Sequence, residues 1–292
     1  MAIVIAMLTA VEVLAARGAI QPSLASVLLF GGLAVGLVGL ADDIRSVSVT
    51  ARLSVQFAAF AWCAWRLGPL PPVQIGLVVA DLGIAGSVLA VVGMVWFLNL
   101  YNFMDGIDGI AGIEAVSVMV FAAVLLATTG AGSSSAIFML VASASVMGFL
   151  LWNWPPAKIF MGDSGSGFLG FCLGSAAWAT IVEHRLSIWV WLILLGAFIV
   201  DATVTLVRRF LRGARLAEAH RSHAYQKLSR KYGSHTKVTL GILGVNLVWL
   251  DPIAYGAAER PSLAALLTLI AWLPLTFAAW RCGAGLEKDT GP

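Results

Sequence analysis

Five aspartates at the ends of apolar segments are the residues of this sequence best suited to chemistry. They lie in three stretches of the chain, at Asp42 and Asp43, at Asp105 and Asp108, and at Asp163. Taken singly, each is explained most simply as a helix cap or a solvated loop residue. Taken together, with asparagine and glycine around them, they predict one shared site. Mg²⁺ binds few protein carboxylates and keeps positions for phosphate oxygens, so it is the ion that this donor set suits.

The middle stretch spaces its polar residues three apart, at Asn99, Asn102, Asp105 and Asp108, with glycines interspersed. Steps of three residues drift around an α-helix of 3.6 residues per turn, so these four side chains cannot share one helical face. We expect them to leave a helix end and to wrap around a turn that glycine permits. Asp108 can also cap the following helix, and both interpretations are compatible.

Glycines and serines surround Asp163 over residues 162–167, just before another apolar segment. This pattern predicts a helix start, whose free N–H groups attract anions beside a cation held by the aspartate. Lys158 lies shortly before it, where it either contacts a phosphate or anchors the chain at the membrane surface.

A histidine pair, His220 and His223, flanks Arg221 in the most basic part of the chain. If this segment is helical, the two imidazoles lie on one face. Such a cluster at a membrane surface suits a pyrophosphate or an anionic headgroup, although a solvated loop that only sets topology is the alternative. Asp201, inside the preceding apolar segment, is expected to pair with an arginine or to face the same cavity.

The composition defines the elements that must position these residues. The 292 residues are 60% apolar and 11% charged, with a mean hydropathy of +0.93, which excludes a disordered chain and an ordinary water-soluble globule. We expect an all-α, polytopic membrane protein with one domain over residues 1–292 and about ten spans. The net charge of +3 does not indicate a nucleic-acid partner, and the three cysteines have no paired spacing.

The predicted spans are 2–16, 25–41, 51–67, 86–101, 111–128, 136–152, 165–182, 187–207, 238–256 and 262–280. The proline-broken stretch 70–83 is either a surface hairpin or a re-entrant piece. Positive residues favour one side of these spans by twelve to four, which predicts that this side is cytoplasmic. The twelve are Arg45, Arg52, Lys158, Arg208, Arg209, Arg212, Arg215, Arg221, Lys227, Arg230, Lys231 and Lys237, and the four are Arg17, Arg66, Arg185 and Arg260.

These motifs, in this order, resemble the polyprenyl-phosphate N-acetylhexosamine-1-phosphate transferases. The resemblance spans about residues 30–230 and is carried by the segments 39–43, 99–112, 158–166, 201–206 and 220–226. The asparagine–aspartate–glycine stretch is the most specific of them. The histidine loop is more similar to the branch that starts O-antigen synthesis than to the phospho-N-acetylmuramoyl-pentapeptide transferases.

The resemblance implies an activity and its partners. Sugar 1-phosphate would pass from a UDP-N-acetylhexosamine to polyprenyl (undecaprenyl) phosphate, with release of UMP, at the cytoplasmic face of a bacterial inner membrane. The cofactor implied is Mg²⁺, with Mn²⁺ as a substitute, and the oligomeric state is left open, with a homodimer as one option. The family's usual first span and following loop have no counterpart here, so contacts from that loop are expected to be absent.

The resemblance also implies roles for single residues. Asp163 would be the principal metal ligand, assisted by Asp108. The catalytic group would comprise Asp42, Asp43, Asp105, Asp108, His220 and His223. Substrate contacts would come from Asn99, Asn102, Lys158 and Arg221.

Two other functions predict different features. An intramembrane serine protease would use Ser164, which follows Gly162 and Asp163, together with a histidine. A secondary transporter would show internal repeats, broken helices and charges near the middle of the membrane. The sequence shows no repeat, and its charges gather at span ends.

Overall fold

The protein is described here by a computed structural model over residues 1–128, 134–214 and 220–286. Arg215, one of the twelve positive residues of the orientation argument, lies outside the described residues. Apart from one hairpin, the regular structure of the described chain is helical, which confirms the predicted fold class.

The first half of the chain forms helices joined by short turns and one hairpin. Its elements are α1 (Ala2–Ala16), α2 (Pro22–Ser26), a π-helical turn (Val27–Gly32), α3 (Leu33–Ile44), α4 (Val49–Leu67), β1 (Val73–Ile75), β2 (Val78–Ala80), α5 (Gly83–Met104) and α6 (Ile110–Thr128). The strands pair antiparallel, with Val73 opposite Ala80. The stretch after α4 is therefore a hairpin and not a re-entrant helix.

The second half is also helical. Its elements are α7 (Ser134–Asn153), α8 (Gly162–Val182), α9 (Ile188–Leu194), α10 (Gly196–Leu211), α11 (Ala224–Tyr232), α12 (His235–Val245), a π-helical turn (Asn246–Leu250), α13 (Asp251–Glu259), a 3₁₀ turn (Pro261–Leu263) and α14 (Ala264–Arg281). Each predicted span coincides with a helix or a helical run, with ends shifted by a few residues.

The count of ten membrane crossings is not confirmed. In the described part of the chain, seven helical runs are long and apolar enough to cross a membrane, or eight if a bent pair counts as one span. Of the remaining two predicted spans, α1 has only 15 residues, and α4 carries Arg52, Gln56 and Arg66 among its apolar residues.

The predicted span 187–207 is not one straight helix, because α9 and α10 meet at an angle of 77°. The break lies at Leu195 and Gly196, where a continuous helix would bond the Gly196 N–H to the carbonyl of Leu192. The indole Nε1 of Trp272 donates to that carbonyl instead, at 2.9 Å. A Cβ at Gly196 would lie 3.1 Å from the same indole nitrogen, so glycine allows the close approach.

The helix ends define two faces of the molecule. The ends of α3 and α5, the starts of α4, α6 and α8, and the segment around α11 meet at one end, which we call the site face. At the opposite face, Trp178 donates to the carbonyl of Gly68 at 3.0 Å, and Trp189 to that of Gln74 at 2.7 Å.

The helix α8 is the centre of the bundle, with nearly all of its residues buried. It packs against α3, α4 and α5, among others. Glycines and serines occupy much of its length, and small residues let membrane helices approach closely. The buried centre of the fold therefore ends, at the site face, in Gly162 and Asp163.

Candidate active site

Close contact between α3 and α8 brings the first and last aspartate stretches together. A Cβ at Gly39 would lie 2.6 Å from both the backbone oxygen of Asp163 and the Cα of Ser164, closer than real Cβ contacts allow. Glycine at this position therefore lets the end of α3 pass directly over the N-terminus of α8. Asp42 and Asp43, one turn further along α3, arrive beside Asp163.

Asp43 caps the N-terminus of α8. Its two carboxylate oxygens accept hydrogen bonds from the backbone N–H groups of Asp163, at 2.9 Å, and of Ser164, at 3.1 Å. A negative charge is favourable beside the free N–H groups of a helix start. The structure thus gives Asp43 a positioning contact in addition to the catalytic role that the sequence predicts for it.

Arg52 connects two of the aspartates. Its guanidinium Nη1 donates to Asp42 Oδ2 and, at 3.3 Å, to Asp163 Oδ2. Asp42 Oδ1 accepts a further hydrogen bond from the backbone N–H of Val47 at 2.6 Å. The sequence predicts Arg52 only as a charge that sets orientation, and its bridge between two aspartates is visible only in the structure.

The asparagine–aspartate stretch divides between a helix and a turn. Asn99 and Asn102 lie in the last two turns of α5, whereas Asp105 and Asp108 follow its end. Gly109 has a φ of +75°, which confirms the predicted glycine-permitted turn. Asn99 donates to Gln56 Oε1 at 2.7 Å, and it does not line the cavities at the site face. Its predicted substrate contact therefore lacks support from the structure.

Asp108 is held by a different partner from the one expected of a helix cap. Its Oδ2 lies 3.2 Å from His235 Nδ1 and accepts from the backbone N–H of Ala157 at 3.1 Å. The Thr239 hydroxyl donates to the backbone oxygen of Asp108 at 3.0 Å. Asp108 therefore ties the turn before α6 to α12 and to the segment before α8.

Asp105 and Asp163 share the space between these elements. Burial, together with the negative charges of Asp163 and Asp108, raises the pKa of Asp105 to about 7. The site thus concentrates negative charge that favours a bound cation.

The Ser166 hydroxyl lies 2.5 Å from Asn102 Oδ1 and donates to it, which fixes the end of α5 against the start of α8.

The histidine loop is fixed by Asp201, whose two oxygens each accept a backbone N–H, from Ala224 and Tyr225, at 2.9 Å. The predicted interaction of Asp201 with an arginine is therefore replaced by a cap on α11. The Tyr225 hydroxyl donates to the carbonyl of Phe103 at 3.1 Å, so α11 is anchored to the end of α5.

The two histidines precede α11 rather than share a helical face. Their rings stack with centroids 4.9 Å apart. Burial, His223 and Arg209 together lower the pKa of His220 to about 4. His220 is therefore neutral at physiological pH and interacts as a hydrogen-bonding imidazole.

A cavity of about 950 Å³ opens between these groups. It is lined by Arg52, Asn102, Phe103, Asp105, Gly106, Ile107, Asp163, His220, Arg221, His223, Gln226, Ser229, Arg230 and His235. Its acidic side chains come from the end of α5 and the start of α8. Arg221 and Arg230 come from the α11 region, so the cavity carries both signs of charge.

A smaller cavity of about 290 Å³ shares Asn102, Asp105 and Asp163 with the first and adds Asp108 and Asn153. Six predicted site residues thus line the large cavity, and Asp108 lines its neighbour. Lys158 does not line either one, because its ammonium lies 5.5 Å from the ring centre of Trp152, at the exposed surface.

Five polar lining residues were absent from the predicted site, namely Arg52, Gln226, Ser229, Arg230 and His235. For Arg52 a signal existed: it lies one turn before Gln56, and two polar residues four apart share one face of an otherwise apolar helix. The other four reach the cavity only through the docking of α11 and the start of α12.

The donor set fits a Mg²⁺ ion shared with substrate. No group of three histidine, cysteine, aspartate or glutamate side chains in the described ranges could hold a metal ion by itself. Mg²⁺ needs only one or two carboxylates when phosphate oxygens and water complete its shell. Asp163 and Asp105 face both cavities, and their oxygen donors suit such a hard cation.

The serine-protease alternative does not match this geometry. The hydroxyl of Ser164 is buried and lies 2.8 Å from Met1 Sδ. His184 follows the end of α8, at the opposite face.

Fold and site together define a polytopic helical membrane protein with a polar cavity of mixed charge at one face. Residues 25–181, which are 157 of the 292, match the family described as glycosyl transferase family 4. The chain therefore belongs to this family.

Individual relatives have more specific names. The chain is 28% identical over 259 residues to the decaprenyl-phosphate N-acetylglucosaminephosphotransferase of Mycolicibacterium smegmatis, covering 80% of this chain and 62% of that protein. It is 35% identical over 112 residues, 38% of this chain and 31% of the relative, to the probable undecaprenyl-phosphate N-acetylglucosaminyl 1-phosphate transferase of Bacillus subtilis. The phospho-N-acetylmuramoyl-pentapeptide-transferase of Levilactobacillus brevis is 35% identical over 114 residues, 39% of this chain and 34% of the relative. These alignments span about one third to two thirds of the relatives' lengths.

Proposed function

We propose that the protein transfers N-acetylhexosamine 1-phosphate from a UDP-sugar to polyprenyl phosphate and releases UMP. The relatives named for this kind of transfer support the proposal. The observation that carries it is the cavity of mixed charge, in which Asp105 and Asp163 face Arg221 and Arg230. Two reactants that both bear phosphate repel one another, and such a cavity can hold them side by side.

An apolar groove supports a lipid acceptor. It has a volume of about 390 Å³ and extends along α5 from Leu82 to Leu100, with walls from α8, α9 and α10. Leu100 lies half a turn before Asn102, which lines the polar cavity. A lipid whose phosphate reaches the site face therefore finds apolar surface for its chain along the same helix.

The chemistry requires little proton transfer. A lipid phosphate is largely ionised at neutral pH, since its second pKa is about 6. One of its oxygens attacks the β-phosphorus of the UDP-sugar, a new P–O bond forms, and the bond from that phosphorus to the bridging oxygen breaks as UMP leaves. Asp42 is placed to orient the acceptor through Arg52, and the stacked histidines and Arg221 are placed to hold the diphosphate.

Mg²⁺, or Mn²⁺ in its place, would neutralise the diphosphate and the departing UMP. Asp163 and Asp105 are the residues of this chain best placed to hold it. Asp108, whose Oδ2 already contacts Ala157 and His235, assists from the smaller cavity. We assign the site face to the cytoplasm of a bacterial inner membrane, and the product to the start of a cell-surface polysaccharide of the O-antigen type.

The test measures transfer by the purified chain in detergent with UDP-[¹⁴C]N-acetylglucosamine and undecaprenyl phosphate. Label should enter the organic phase with Mg²⁺ and not with EDTA. Testing UDP-N-acetylgalactosamine in parallel identifies the preferred sugar.

Asp163→Asn should reduce transfer to background while the protein keeps its elution profile and melting temperature. The control is Asp81→Asn, because Asp81 is exposed at the opposite face and, among the described residues, bonds only the N–H of Gly83. Transfer by Asp163→Asn at the rate of the unchanged chain would overturn the assignment of this carboxylate.

A further inference from the structure

A second polar cluster lies inside the helical bundle, away from the candidate active site. It consists of Glu114 and Ser117 on α6 and of Asn246 and Asp251 on the run from α12 to α13. The exposed fractions of Glu114, Asn246 and Asp251 are 0%, 1% and 3%. Ionisable side chains buried in membrane helices are costly and point to a function when a partner is missing.

The amide and hydroxyl donors of this cluster are already used. Asn246 Nδ2 donates to Glu114 Oε2 at 2.7 Å and to Ser117 Oγ at 2.8 Å, and the Ser117 hydroxyl donates to the backbone oxygen of Glu114 at 3.1 Å. Three buried oxygens then have no hydrogen-bond partner in the described part of the chain: Glu114 Oε1, Asn246 Oδ1 and Asp251 Oδ2. The cluster therefore holds a surplus of acceptors.

The cluster also lacks a compensating charge. Within the described residues, no lysine, arginine or histidine forms an ion pair with Glu114 or Asp251. Two carboxyl groups and a carboxamide oxygen in an apolar bundle attract a positive charge.

The π-helical turn is what places Asn246 and Asp251 together. In an α-helix, residues five apart point roughly 140° away from each other. Here the N–H of Asp251 donates to the carbonyl of Asn246, so the chain closes a turn after five residues and the two side chains lie on the same side. The helix α13 also packs against α6, which carries Glu114.

We propose that this cluster is a Na⁺ site, with Glu114 Oε1, Asn246 Oδ1 and Asp251 Oδ2 as its protein ligands. Oxygen donors of this kind suit hard cations. Two carboxyl groups that share one proton carry a single negative charge, which matches a monovalent ion. Mg²⁺ suits the cluster less well, because it gives up its water shell reluctantly.

The experiment measures ²²Na⁺ binding to the purified full chain in detergent, in choline chloride of constant ionic strength. Binding should be saturable, with one ion per chain, and saturating NaCl should raise the melting temperature by several degrees because it binds the folded state. Glu114→Gln should abolish both effects. Glu259→Gln, an exposed residue at the end of the same helical run, is the matched control and should retain both.

Absence of saturable ²²Na⁺ binding in the unchanged chain would overturn the site, and so would equal binding by Glu114→Gln. If Glu114→Gln fails to fold, Asp251→Asn provides the same comparison. The proposed transfer is assayed separately. Its test is the Asp163→Asn variant, so failure of the Na⁺ site and failure of the transfer proposal are distinguishable.

Discussion

At the scale of single residues, the arginine that joins two carboxylates is the most informative. Arg52 contacts Asp42 and Asp163 at once. It therefore fixes the position of Asp42, which is proposed to orient the lipid acceptor, relative to Asp163, which is proposed to hold the metal. Charge-assisted hydrogen bonds contribute about 1.5–3 kcal/mol. Because about 1.4 kcal/mol corresponds to a factor of ten in rate, we expect Arg52→Gln to lower transfer roughly 10- to 100-fold.

The measurement is the initial rate of lipid labelling at saturating UDP-sugar. Arg66→Gln is the matched control, since Arg66 lies on the same helix near the opposite face. Arg52→Lys, which keeps the charge and loses the planar guanidinium, should give an intermediate rate. A rate for Arg52→Gln equal to that of Arg66→Gln would show that the bridge has no role in catalysis.

At the scale of elements, the approach of α3 to α8 determines whether the aspartates meet. In Gly39→Ala the added methyl group would collide with the backbone of Asp163 and Ser164, neither of which can rotate away. Overpacking of this kind costs about 1–3 kcal/mol. The variant should therefore melt several degrees lower and lose at least about tenfold in transfer, because Asp42 and Asp43 move away from Asp163.

The control is Gly148→Ala on α7, where a Cβ would meet nothing within 4 Å. Melting curves and transfer rates for the two variants are measured in the same detergent. Equal behaviour of both would show that close packing of α3 on α8 is not needed for the site.

The helices themselves were largely predictable from the sequence, and their breaks and dockings were not. Hydropathy indicates which segments enter a membrane, so each predicted span overlaps a helix or a helical run of the structure. The break at Gly196 depends on Trp272, 76 positions away, whose indole replaces a helical N–H. Nothing local in the sequence encodes such a contact.

The same distinction applies to the site. Asp105, Asp163 and the histidine pair were found from motif and resemblance, and they line one cavity. Asn99 belongs to the same motif yet bonds Gln56 inside the bundle, and Lys158 turns to Trp152. The spacing of a motif along the chain does not distinguish a side chain that faces the cavity from one that bonds a neighbouring helix.

At the scale of the whole molecule, the two faces differ in charge, and this difference predicts how the protein lies in a membrane. The excess of arginine and lysine at the site face predicts, by the positive-inside rule, that this face is cytoplasmic. Leu77, in the hairpin turn, is 96% exposed at the opposite face. Arg212 is exposed just after α10, at the site face.

Labelling of a single accessible cysteine in intact cells tests this orientation. A membrane-impermeant maleimide should label Leu77→Cys directly, and Arg212→Cys only after the inner membrane is permeabilised. Cys63 and Cys172 are buried and can stay, whereas Cys282 is partly exposed and is replaced by serine as background. Labelling of Arg212→Cys in intact cells would place the proposed site outside, where no cytosolic UDP-sugar could reach it, and would contradict the assignment of the site face.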